Sequence, residues 1–179
     1  MLYIVMDLES TCWKERTQVK DQEIIEIGAI RLNESLDIID EYDRFVRPVQ
    51  NPQLSEFCQA LTRIPQDDVA GADTFDVVFP EFDSWIGEGS CRIVTWGDYD
   101  IEHIRIDCKR HSMRFPKRFA NRHVNLKQVF AESRRIRPCG MEQALKMMNM
   151  PLQGTHHRAI DDARNLVRIM RVLRGQKWI

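Results

Sequence analysis

No stretch of the chain approaches the run of about 20 apolar residues that a membrane-spanning helix requires, so an integral helical membrane protein is excluded. The segment Leu2 to Met6 already reads as a strand. It lacks the basic n-region and small-residue cleavage site of a secretory signal, and the expectation is a cytoplasmic protein. Cysteine is sparse: Cys12, Cys58, Cys91, Cys108 and Cys139. The odd count, wide spacing and absence of any C-x-x-C argue against a disulfide framework or a zinc site, and favour reduced thiols, several of them buried. Internal repeats, low-complexity tracts and long linkers are also missing. With 179 residues, 43% of them hydrophobic, the chain suits one domain spanning 1–179.

Net charge is nearly absent as well. Its value of −1 gives by itself no sign of a nucleic-acid partner, but the distribution is lopsided. Residues 1–104 carry 8 Lys/Arg against 22 Asp/Glu, and residues 105–179 carry 18 against 5. The densest basic stretch, 105–137, holds 11 basic and 2 acidic residues. Such halves can form a metal site beside a phosphate-binding surface, unless folding simply intermixes the charges.

What is present reads as an α/β chain. Leu2 to Met6 is a continuous apolar run, as expected of a strand buried on both faces. Ile24 to Leu32 and Ile38 to Val46 read as two further strands joined through Asn33-Glu34-Ser35. A short helix is expected over Leu54 to Leu61 and an amphipathic one over 75–87, where Phe75, Val78, Phe79, Phe82 and Ile86 recur at helical spacing around Pro80. Arg92 to Trp96 reads as a fourth strand, followed by a helix from Asp98 or Asp100 to about His111. Helices are also expected over Asn125 to Ser133, Met141 to Met148 and about 158–174. This order predicts a three-layer α/β domain around a mixed sheet, with the first three strands antiparallel and the fourth parallel to the first.

Three constellations carry chemistry. Asp7 and Glu9 lie two apart at the end of the first strand and so project to one side. Two adjacent carboxylates repel unless cations neutralise them, and hard divalent ions such as Mg²⁺ suit oxygen ligands. Alone, an isolated D-x-E is commonly a pair of solvated acids. The second is Thr95-Trp96-Gly97-Asp98-Tyr99-Asp100, where Gly97 permits a sharp turn and either aspartate could face the first pair or cap a helix. The third is Gly154-Thr155-His156-His157-Arg158-Ala159-Ile160-Asp161-Asp162-Ala163. It sets two loop histidines, suited to proton transfer, before an acidic helix start that also complements the helix dipole.

D-x-E after the first strand, G-x-x-D after a central strand and H-x-x-x-x-D opening the last helix occur in that order. In these motifs, and in Phe57-Cys58-Gln59-Ala60-Leu61-Thr62-Arg63-Ile64, the chain resembles the DEDDh family of 3′→5′ exonucleases over nearly its whole length. It looks most like the histone-mRNA and small-RNA exonucleases and their bacterial counterparts. The resemblance implies an RNase H-like fold, with a central mixed sheet of about five strands flanked by helices. It implies Asp7, Glu9, Asp100 and Asp162 as carboxylate ligands of two Mg²⁺, with Mn²⁺ able to substitute, and His157 as general base. Both His156/Asp161 and His157/Asp162 have the five-residue spacing, and the resemblance implies His157 and Asp162 as the principal pair. Leu61 and Thr62 are implied to line the pocket for the 3′-terminal nucleotide, with Leu8, Ser10 and Trp96 as further substrate contacts. Arg63 departs from relatives of the histone-mRNA type, which often carry glycine there.

The expected activity is hydrolysis of the 3′-terminal phosphodiester of RNA, with DNA a second substrate, to nucleoside 5′-monophosphates. In that scheme Asp7 bridges both ions, Glu9 and Asp162 serve the ion binding the attacking water, and Asp100 acts mainly through an outer-shell water. Arg105, Lys109, Arg110, Arg114, Lys117, Arg118 and Arg122 are candidates for a phosphate track, with Phe115 and Phe119 as stacking platforms or, alternatively, core residues. Two other readings compete. A nucleic-acid-binding adaptor with an inactive site calls for a lost carboxylate or histidine, and a small-nucleotide phosphohydrolase calls for a compact pocket without a basic surface.

Overall fold

The computed structural model describes residues 1–15 and 18–175. Its elements, in order, are β1 (Leu2–Ser10), β2 (Ile24–Leu32), β3 (Ile38–Phe45), α1 (Glu56–Thr62), α2 (Gln66–Ala70), α3 (Phe75–Ile86), β4 (Cys91–Thr95), α4 (Tyr99–Arg110), α5 (Lys117–Asn121), β5 (His123–Asn125), α6 (Leu126–Arg134), α7 (Met141–Met147) and α8 (Ala159–Val172). The strands form one five-stranded sheet in the order β3-β2-β1-β4-β5. β1, β2 and β3 are antiparallel neighbours and β4 pairs parallel to β1, as the strand and crossover pattern predicts, while β5 adds parallel to β4.

The apolar runs cover both faces of the sheet. Alternate residues of a strand face opposite sides, so Tyr3 and Val5 join Ile30, Val94 and the inner faces of α6, α7 and α8 in one cluster. Ile4 and Met6 join Ile27, Ile93 and the inner faces of α3 and α4 in the other. The result is the expected three-layer RNase H-like sandwich. All five cysteines are free, with Cys58, Cys91 and Cys108 buried. Among the described residues no helix is long and apolar enough to cross a membrane.

Several elements differ from the sequence reading. β1 runs on to Ser10, because β2 pairs with it through Asp7↔Gly28 and Glu9↔Glu26 and satisfies its backbone along that length. β5, with three residues, and the five-residue helices α2 and α5 were not expected; none is long enough to express a period. α1 begins at Glu56 because Ser55 caps it, its side chain accepting from Cys58 N. Pro80 sits inside α3, where burial of five large side chains outweighs one missing backbone bond.

The topology makes a crevice. β1 and β4 pair in parallel only from Leu2↔Cys91 to Val5↔Val94. Asp7 and Glu9 lie beyond that pairing, at the carboxyl ends of the central strands, where open α/β sheets place their ligands.

Candidate active site

Asp7 and Glu9 project from β1 toward α8, the side of Tyr3 and Val5. Asp162, in the first turn of α8, meets them: one oxygen of each carboxylate lies within 4.8 Å of the others. Asp100 enters from the first turn of α4, and its Oδ1 accepts from Leu8 N at 3.2 Å. The aspartate that reaches the cluster is therefore Asp100. Asp98 points elsewhere, accepting from Asn125 Nδ2 at 2.9 Å without bonding a helical amide. Asp161 likewise turns away, to Thr155 N at 2.8 Å and Arg164.

Burial sets the electrostatics. Asp7 and Glu9 are pushed well above the usual carboxylate range, first by burial and then by the neighbouring acids, led by Asp100 for Asp7 and Asp162 for Glu9. Asp100 rises to about 7, mainly through burial. Asp162 is also raised by burial, although His156 and His157 offset part of the effect. Four acids held together this way take up protons or a cation. The all-oxygen donor set of Asp7, Glu9 and Asp162 fits a hard divalent metal.

The histidine loop is bound to the same carboxylate. His157 donates its backbone N–H to Asp162 Oδ2 at 3.1 Å, and His156 Nδ1 lies 3.0 Å from that oxygen. The two imidazoles stack with centroids 3.9 Å apart. His156 is thus engaged with Asp162, whereas no described group hydrogen-bonds the His157 ring. Burial, and next the neighbouring His156, lowers the pKa of His157, which leaves a neutral imidazole able to accept a proton. His157 has φ +64°, a left-handed conformation costing a non-glycine residue about 1–2 kcal/mol; the Asp162 contact holds it there.

A second pair, not foreseen from sequence, fixes the start of α8. Glu26 is fully buried on β2, opposite Glu9, and accepts from Arg158 Nη2 at 2.9 Å and Ala159 N at 2.9 Å. Gly28, opposite Asp7, lets the helix approach. A Cβ there would stand 2.2 Å from Ala159 C and Ile160 N, so α8 packs on the sheet only because residue 28 has no side chain.

These groups line an open cavity of about 520 Å³. Leu8, Ser10, Leu61 and Trp96 lie in its wall with Tyr99 and His156 of the motifs, together with Cys12, Gln22, Lys127 and Met141, which the motifs do not include. Trp96 is anchored through Nε1 to Cys139 O at 3.0 Å. Thr62 corrects the sequence expectation. It is fully buried, with Oγ1 donating to Cys58 O at 2.9 Å and accepting from Ile64 N, so Leu61 faces the cavity and Thr62 the helix interior. Arg63 caps α1 at φ 57°, which explains in physical terms the glycine expected of relatives.

In the basic stretch the structure favours one of the two alternatives for the phenylalanines. Phe119 is wholly buried and Phe115 packs against the same core, so Phe119 is no stacking platform. Arg110 is tied to Asp107 and to the carbonyls of Lys20 and Gln22. Lys117, Arg118 and Arg122 gather near Ser90 and Cys91, beside the residue that pairs with Leu2. Five residues of strand, about 16 Å, separate that end of the sheet from Asp7.

A carboxylate cluster and histidine at the open end of this mixed sheet are the arrangement of the RNase H-like, DEDDh class. Residues 4–170 match the Exonuclease family model, and the chain belongs to that family. It is 34% identical to ERI1 exoribonuclease 2 of Homo sapiens over 90% of the chain, and spans 27% of that relative's length. The nuclease domain of 3′hExo, described as a DEDDh family member bound to rAMP, superposes with a TM-score of 0.89 at 29% identity, covering 96% of this chain and 90% of that one. A 3′-exonuclease structure described as recognising the histone mRNA stem-loop gives 0.90 at 28% identity, over 99% of this chain and 65% of that one.

Proposed function

We propose that the protein is a divalent-metal-dependent 3′→5′ exonuclease that shortens single-stranded or 3′-overhanging RNA, and DNA as a second substrate, releasing nucleoside 5′-monophosphates. The observation that carries this reading is the convergence of Asp7, Glu9 and Asp162 to within 4.8 Å, with Asp100 adjacent and a neutral His157 on the same cavity wall. Two Mg²⁺ ions, for which Mn²⁺ can substitute, supply the neutralising charge that a phosphodiester needs on its attacking and leaving oxygens.

Asp7, Glu9 and Asp162 would hold the metal, with Asp7 placed to serve both ions, and Asp100 would contribute through water, since its Oδ1 accepts from Leu8 N. His157 takes the proton of the attacking water. The water oxygen bonds to phosphorus, and the bond from phosphorus to the 3′ oxygen of the penultimate nucleotide breaks. That oxygen takes a proton from solvent water in the open cavity and leaves as a 3′ hydroxyl, and His157 returns its proton to solvent. Leu61, Leu8 and Trp96 offer apolar surface to the terminal nucleoside, and Ser10 a polar contact. The RNA preference rests on the relatives named exoribonuclease. An inactive adaptor would lack a carboxylate or the histidine, and all five are in place.

The test uses RNA and DNA strands labelled at the 5′ end in one set and the 3′ end in another, incubated with Mg²⁺. The expected result is progressive shortening of the 5′-labelled strand and immediate release of labelled nucleoside 5′-monophosphate from the other, both lost on chelation and in Asp7→Ala. Internal cuts, 3′-phosphate products or chelator-resistant activity would overturn the reading.

A further inference from the structure

Lys127 differs from the other basic side chains of the 105–137 stretch. It is the sole lysine or arginine among the described residues lining the cavity with Asp7, Glu9, Asp100 and Asp162. Four of the arginines that sequence alone marks as a track are engaged elsewhere: Arg105 lies over the Phe115 ring, 4.4 Å from its centroid, Arg110 and Arg118 donate to backbone carbonyls, and Arg122 donates to Ser90. Lys127 makes no hydrogen bond or ion pair with any described residue.

Its position is built. Asn125 ends β5 and caps α6, its Oδ1 accepting from Gln128 N at 3.0 Å, while its Nδ2 donates to Asp98 at 2.9 Å. One side chain thus fastens the first turn of α6, which carries Lys127, to the turn leading to Asp100. Gly97 in that turn has φ +117°, and a Cβ there would lie 3.2 Å from Lys127 Nζ and 3.5 Å from Cε. The end of the lysine therefore rests against the glycine backbone at the cavity wall, charged, half-buried and without a bonded counter-ion. An ammonium donor held beside an acidic cluster, yet not bonded to it, matches an anion that arrives with the ligand.

We propose that Lys127 is a substrate-positioning residue whose ammonium holds a non-bridging phosphate oxygen of the bound strand, at the linkage next to the scissile one on its 5′ side. This rests on the nuclease reading above. Lys127 rests on the Gly97 turn that leads to Asp100, outside the compact Asp7, Glu9 and Asp162 group, which on the nuclease reading holds the scissile phosphate. Gly97 is then required for a second reason besides its turn, because a side chain there would push the ammonium out of the wall.

The test compares wild type with Lys127→Met and Lys127→Arg on short single-stranded RNA, with thermal melts confirming that each variant folds. Loss of one charge-assisted contact should raise KM about ten-fold or more with kcat nearly unchanged. The slope of log affinity against log salt should fall by about 0.7, and Lys127→Arg should recover most of the loss. The Mg²⁺ concentration for half-maximal activity should stay fixed. A methylphosphonate at the second linkage from the 3′ end should weaken wild type by a similar factor and Lys127→Met hardly at all. Unchanged KM and salt slope, a shifted Mg²⁺ requirement, or equal methylphosphonate losses in both proteins would overturn the proposal. Strand binding measured by anisotropy in Ca²⁺ needs no turnover. Weakened binding of Lys127→Met there supports the contact even if wild type proves inactive, and unchanged binding refutes it.

Discussion

Replacing Gly28 by alanine should disable the site without touching any of its functional side chains. The added Cβ would lie 2.2 Å from Ala159 C and Ile160 N and 2.6 Å from Ile160 Cα, where ordinary contact begins at 3.4 Å. The obstacle is backbone on both sides, so no side-chain rotation relieves it. The start of α8 must retreat by the difference, 1.2 Å, and it carries Asp162 with it and strains the Glu26–Arg158 bonds. Overpacking of this kind costs about 1–3 kcal/mol, which unfolding in urea would register. A displacement of about 1 Å at a catalytic group lowers turnover on the order of 10²-fold. The assay is Mg²⁺-dependent release of nucleotides from 3′-labelled RNA. Gly89→Ala, with nothing within 4 Å of its new Cβ, serves as the matched control. Turnover in Gly28→Ala equal to that of the control would refute the claim that the β2–α8 contact sets the position of Asp162.

Other perturbations act on the charges. Asp7→Asn removes one of four mutually repelling acids, the other three of them buried, so the metal-free protein should melt no lower than wild type, while the rise in Tm that Mg²⁺ gives wild type disappears. Asp100 holds its proton up to about pH 7 when folded, against an ordinary value of 3.8. Its contribution to metal-free stability is therefore complete below about pH 4 and lost as pH rises through 7. Melting in chelator should fall across that window, and saturating Mg²⁺ should flatten or reverse the trend. His157→Ala should lower kcat by about 10²–10⁴-fold with little change in Mg²⁺ or substrate affinity; a large binding defect would make the residue structural. Arg63→Gly relieves a left-handed residue at the end of α1 and should raise stability by about 0.5–1 kcal/mol, measured by chemical denaturation.

The parts legible in the sequence are those with period or motif. The apolar run ending at Asp7, the alternation that aims Asp7 and Glu9 one way, and the stripe of α8 all follow from local geometry, and β2 has the same limits in sequence and structure. The acidic cluster was legible because its members sit at element ends, where motif spacing is rigid. Glu26 was not, since an acid inside a buried strand looks like an ordinary outward residue until Arg158, 132 positions away, is placed on it. Lys127 was hidden in a crowd of equally basic neighbours, and only the fold separates it from Arg118 and Arg122 at the far end of the sheet. Thr62 and Phe119 show the converse. The family resemblance implied a substrate contact at Thr62 and residue type left Phe119 open between stacking platform and core, and helix phase turns both inward.

The account depends on the carboxylates being a metal-binding set. Crystals grown with Mn²⁺ and a nucleoside 5′-monophosphate, measured above the manganese absorption edge, address this directly. The account predicts anomalous peaks among the carboxylates of Asp7, Glu9 and Asp162, with nucleotide phosphate against them. A protein that binds the nucleotide with no manganese at these three side chains, or with manganese only elsewhere, would contradict it.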